Sequence, residues 1–164
     1  DSPGLAGNAV LSGEPDSSPV KSIKIPAIGV NTYVDFIPFD GDTWPLTGLG
    51  RQVAWLGDTS WPGLGSNTVL AGHISLIGGV LGPFDNLDDL KPGDKIIVTT
   101  EQKTYNYIYQ KTEVVNPTDT HVTDPTDLPQ LTLVTCTGWD ANSYSFAQRL
   151  VVSAGLESVG PLAQ

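Results

Sequence analysis

Eight short segments rich in β-branched and aromatic residues, each bounded by Gly, Pro, Asn or Asp, follow one another through this chain with almost no helical interruption. They are Lys21 to Ile25, Val30 to Ile37, Val53 to Leu56, Asn67 to His73, Lys95 to Thr100, Thr104 to Val115, Gln130 to Thr137 and Arg149 to Ala154. In Thr104 to Val115, Tyr105, Tyr107 and Tyr109 alternate with Asn106, Ile108 and Gln110, the period of two that a strand requires. One segment alone carries a helical signal: Pro83 to Leu90 spaces Phe84, Leu87 and Leu90 by three and is stopped by Pro92-Gly93-Asp94. So many short strands need their edges covered. A mainly β fold is therefore expected, an eight-stranded closed or nearly closed barrel with one or two short helices.

The 164 residues are 39% hydrophobic and 16% charged, enough for one domain with a real core. Residues 1–19, rich in Gly, Pro and Ser, bury little and read as a flexible leader, with the folded domain at 20–164. A formal net charge of -10 and no Lys/Arg cluster argue against a nucleic-acid partner. Apolar runs such as Ile96 to Val98 and Leu150 to Val152 are far shorter than the ~18 residues that span a bilayer. With no Met anywhere, a processed or trimmed chain is expected.

Cys136 is the only cysteine, which excludes an internal disulfide and any Cys-based zinc site. It ends the apolar strand Leu131-Thr132-Leu133-Val134-Thr135-Cys136, beside a loop, where sites are commonly built. Arg149 opens the following strand, and antiparallel pairing of the two would return it toward Cys136. His73 ends an earlier strand after Gly72, whose missing side chain permits close backbone approach. A thiol, an imidazole and a guanidinium are sufficient parts for acyl transfer: nucleophile, proton carrier and oxyanion stabiliser. Taken singly, each has an ordinary alternative as a buried thiol, a satisfied histidine or a solvated arginine.

The local words separate these readings. Thr132-Leu133-Val134-Thr135-Cys136 matches the Thr-Leu-x-Thr-Cys signature of the sortases, cysteine transpeptidases of bacterial cell surfaces. Ala71-Gly72-His73 resembles the family's small-Gly-His segment, Arg149 matches its essential arginine, and the order His, Cys, Arg and the intervals are similar over about Ser22 to Leu156. Papain-like enzymes place the Cys before the His, and caspases carry Gln-Ala-Cys, which is absent here.

The resemblance implies a sortase-type barrel in which Cys136 attacks the Thr-Gly carbonyl of a Leu-Pro-x-Thr-Gly-like sorting signal and forms a thioester. An amine, from a cell-wall precursor or a pilin lysine, would resolve it. His73 would serve as general acid and then base, Arg149 would stabilise the oxyanion, and Thr135 and Ala71 would help bind substrate. It further implies surface proteins bearing sorting signals as partners and a place on the extracytoplasmic face of the membrane through an N-terminal anchor that has been removed; no cofactor or metal is expected. A cysteine protease using water, and a non-catalytic module binding sorting signals, remain as alternatives. Residues about Pro117 to Pro129 are expected to wall the signal-binding groove, with His121 an exposed loop residue. Asp119, Asp124 and Asp127 lack EF-hand spacing and read as solvated rather than calcium-binding. Among Trp44, Trp55, Trp61 and Trp139, Trp139 is the one expected near substrate. With no Asp-Pro-Trp or Asp-Pro-Phe word in the leader, an open site is expected.

Overall fold

The computed structural model describes residues 16, 18–46, 49–75, 80–119, 121–140 and 145–162, with backbone only for 136–140 and 145–147. Eight strands are present: β1 (Val20–Ile25), β2 (Val30–Ile37), β3 (Val53–Leu56), β4 (Asn67–Ala71), β5 (Lys95–Thr100), β6 (Lys103–Val115), β7 (Gln130–Asp140) and β8 (Ser145–Pro161). They close into a barrel in the order β1-β2-β3-β4-β7-β8-β6-β5, with β5 returning to β1. β2 with β3 and β4 with β7 are parallel; every other neighbouring pair is antiparallel.

The alternation read in the sequence decides what faces inward. Tyr105 and Tyr107 on β6 are buried, as are Leu131 and Leu133 on β7 and Ile96 and Val98 on β5, and these meet in the main core. A second, smaller cluster lies around β3 and β4, where Leu49, Ala54, Leu56, Val69 and Ala71 receive Trp44 and Leu46 from the β2–β3 loop. That loop is fixed further by the Trp44 indole N–H, which donates to the Gly57 carbonyl at 2.9 Å.

The short helix expected at Pro83 to Leu90 is present as a 3-10 turn. Among the described residues the only helical elements are four three-residue 3-10 turns, one of them Leu87–Asp89. The reason is in the spacing: Phe84, Leu87 and Leu90 are all buried at intervals of three, the 3-10 period. Their backbone follows suit, with Leu87 N–H donating to Phe84 O and Leu90 N–H to Leu87 O. A segment this short holds its shape through tertiary packing, so the period of its buried side chains sets its turn. Strands β7 and β8 are also longer than expected, because they continue to pair beyond Thr137 and before Arg149.

Two residues of the stretch read as leader are built into the barrel. Asp16 is buried, and its carboxylate accepts from the Ser18 N–H at 2.9 Å, the Ser18 hydroxyl, Thr100 Oγ1 at 2.7 Å and Tyr105 OH at 2.7 Å. Burial alone pushes this carboxyl upward, but the four hydrogen bonds outweigh it and hold the group below the ordinary Asp value. Gly63 closes over the same site, where a Cβ would stand 2.4 Å from Asp16 O.

Replacing Asp16 by Asn removes charge-assisted bonds and should destabilise the fold by about 2 kcal/mol, read as a lower urea midpoint. Because the folded value is depressed, the stabilisation is complete above the unfolded carboxyl value of about 3.9 and is lost as pH falls through the folded one. The gap between wild type and Asp16→Asn therefore closes in acid, and a gap independent of pH would exclude this assignment.

Candidate active site

β4, β7 and β8 are adjacent in the barrel; β4 ends at Ala71, while β7 and β8 continue to pair as far as Asp140 and Ser145. The parallel ladder pairs Ala71 with Val134 and continues through the Gly72 N–H, which donates to Val134 O at 3.1 Å. His73 and Cys136 each lie two residues beyond that last pair. On the other side of β7, Cys136 is the direct partner of Arg149 in the antiparallel ladder. The pairing that the sequence reading assumed is thus present, and three strands bring residues 73, 136 and 149 to one end of the sheet.

Close packing fixes His73. A Cβ on Gly72 would meet the Phe84 ring at 2.8 Å, and one on Gly82 would stand 2.1 Å from the His73 carbonyl oxygen. The Phe84 N–H donates to that same carbonyl at 3.1 Å. On the imidazole, Nε2 lies 3.1 Å from Leu46 O, which can only accept, so Nε2 carries the hydrogen and Nδ1 is left to exchange protons.

A groove of about 720 Å³ opens at this level. His73, Thr135, Arg149 and Ala71 line it, between a wall from the β2–β3 loop that includes Phe39 and Trp44 and a wall from Pro117, Val122, Thr123 and Asp124. The loop expected as a groove wall is therefore in that position, and Trp44 also lines the groove. The side chain of Trp139 lies outside the described residues; the Phe39 and Trp44 rings sit 4.8 Å apart, a pairing that spacing alone did not reveal. Thr135 is buried, and its hydroxyl has no partner among the described residues. Arg149 donates from Nη1 to Gln148 O at 3.1 Å. Among the described residues no group of three or more His, Cys, Asp or Glu is placed to hold a metal.

The Sortase domain family profile matches residues 23–157. This chain belongs to the sortase family. Sortase A of Streptococcus agalactiae is 36% identical over 98 residues, a match covering 58% of this chain and 38% of that relative. Solved sortases superpose on the barrel: sortase A of Listeria monocytogenes at a TM-score of 0.68 and 26% identity, covering 91% of this chain and 93% of that one. Sortase C-1 of Actinomyces oris gives 0.67 at 30% identity, covering 86% and 75% respectively. In this sortase, no helix among the described residues is long and apolar enough to cross a membrane.

His121, at the head of the 3-10 turn His121–Thr123, is exposed as expected but is not idle. Its Nδ1 pairs with Asp119 and its Nε2 with Glu113 Oε1 at 3.4 Å. The hydrogen bond to Asp119 chiefly, with Glu113 adding, raises the imidazole above its ordinary value, and the Asp119 carboxyl is correspondingly lowered. Because the folded value is raised, this contribution to the loop is complete below about pH 6.5 and is lost as pH rises through the folded value. The His121 side chain, followed by NMR, should titrate above a free histidine and fall back toward it in Asp119→Asn; equal midpoints in both proteins would rule the pairing out.

Proposed function

We propose that this sortase is a cysteine transpeptidase that cleaves a Leu-Pro-x-Thr-Gly-like sorting signal between Thr and Gly and transfers the acyl part to an amine. The observation that carries the reading is the common level of residues 73, 136 and 149 on neighbouring strands, with His73, Thr135 and Arg149 lining one groove. Family membership and the Thr-Leu-x-Thr-Cys signature support it.

The Cys136 thiolate attacks the Thr carbonyl carbon and drives its electron pair onto oxygen. Arg149, a permanent cation on the groove, stabilises that oxyanion, and Thr135, whose buried hydroxyl is unpartnered among the described residues, offers it a hydrogen bond. As the C–N bond breaks, His73 gives its Nδ1 proton to the leaving glycine amine, and the Cys136 thioester remains. The acceptor amine then attacks the thioester, loses a proton to His73 and expels the thiolate. Ala71 and the two loop walls hold the peptide meanwhile. The acceptor is a cell-wall precursor amine or a pilin lysine, the donors are surface proteins with sorting signals, and the enzyme works on the extracytoplasmic face of the bacterial membrane, held by an N-terminal anchor.

Intact mass after incubation with Leu-Pro-x-Thr-Gly peptides and triglycine tests this. Transpeptidated product is expected from wild type and none from Cys136→Ala; cleavage that ignores triglycine would identify a hydrolase, and binding without cleavage a recognition module. Gly82→Ala should lower kcat by about 10²-fold by displacing the His73 backbone, with the His121 titration unchanged. A kcat within about twofold of wild type would remove His73 positioning from the mechanism.

A further inference from the structure

Asn67, the first residue of β4, lies at the opposite end of that strand from His73, and its side chain is buried. Its Nδ2 donates to two main-chain carbonyls of the β6–β7 loop, Val122 O at 2.9 Å and Asp124 O at 3.0 Å. Its Oδ1 accepts from Thr132 Oγ1 at 2.6 Å, and that hydroxyl in turn accepts from Gln130 Nε2 at 3.0 Å. Two carbonyls on one side and a hydroxyl donor on the other leave the amide a single satisfying orientation. The carbonyls that it holds flank Thr123, and all three residues, Val122, Thr123 and Asp124, face the groove. The neighbouring Ser66 accepts from the Thr126 N–H through Oγ at 2.9 Å, so the start of β4 clasps the loop at successive points.

We propose that Asn67 is a positioning residue for substrate selection: its amide fixes the β6–β7 wall against the barrel and so sets how tightly the groove holds its peptide. The inference rests on the transpeptidase reading for its kinetic consequence but not for its structural one. Asn67 opens β4 and His73 lies two residues past its end at Ala71, six residues and about 20 Å away at strand rise, and among the described residues Asn67 bonds to no reacting group. It acts only through the loop. Its loss should therefore weaken binding while leaving the chemical step intact.

Asn67→Asp is isosteric, yet it turns two donors into an acceptor facing two carbonyls. With a Leu-Pro-x-Thr-Gly peptide, KM should rise about tenfold, equivalent to about 1.4 kcal/mol, while kcat stays within about twofold. In hydrogen exchange, the Asp124 and Thr126 amides should quicken while those of Leu70 and Leu133 hold, and iodoacetamide should alkylate Cys136 at the wild-type rate. An unchanged KM with unchanged loop exchange overturns the proposal, as does a fall in kcat with altered alkylation. If Asn67→Asp fails to fold, Thr132→Val, which frees Asn67 Oδ1 and the Gln130 Nε2 donor but leaves both Nδ2 bonds, is judged by the same criteria. Should wild type turn over no peptide, the transpeptidase reading fails by itself and the exchange pattern decides: acceleration confined to the loop supports the clasp, and none refutes it.

Discussion

The parallel ladder between β4 and β7 is the contact on which this molecule turns. Antiparallel neighbours can be joined by a hairpin, but a parallel pair must be closed by a long excursion. Here that excursion contains Phe84, Leu87 and Leu90, all driven into the core, and the hairpin of β5 and β6 that completes the wall. The ladder thus recruits distant chain to close the barrel, and the same register brings His73 level with Cys136. Stability and chemistry depend on one set of backbone hydrogen bonds.

Loops complete what the ladder begins. On one side, the β2–β3 loop buries Leu46 and Trp44 in a satellite cluster and offers the Leu46 carbonyl to His73. On the other, the β6–β7 loop is gripped from below by Asn67 and Ser66 and tied at its rim through His121. The groove is therefore a gap between two separately anchored walls. Its rim carries Asp42, Asp119 and Asp124 against the single guanidinium of Arg149, so the field at the mouth favours cationic groups.

Much of this was legible in the sequence, and the rest failed for definable reasons. Strands β2, β3 and β5 fall where β-branched and aromatic runs bounded by turn residues put them, and in β5 burial on one face leaves a period of two. The grouping of residues 73, 136 and 149 on neighbouring strands was legible through local words and order, which single-residue chemistry does not supply. The short helix read at Pro83 to Leu90 is present as the 3-10 turn Leu87–Asp89, because buried residues three apart fit the 3-10 period as well as that of an α-helix. Asn67 gave no signal: an asparagine at a strand start reads as a boundary, and its partners lie more than fifty residues away. Asp16 was hidden likewise, since composition assigns a Gly/Pro/Ser-rich stretch to linker and is blind to one carboxylate matched by distant hydroxyls.

That carboxylate also determines how the domain bears load. Tension applied to the chain ahead of Asp16 reaches the bonds to Thr100 and Tyr105 before it reaches β1. Those bonds end on β5 and β6, and β6 is separated from β7 by β8 alone. A pull is therefore resisted first at a point that yields locally, by releasing one side chain, before it passes to the paired strands.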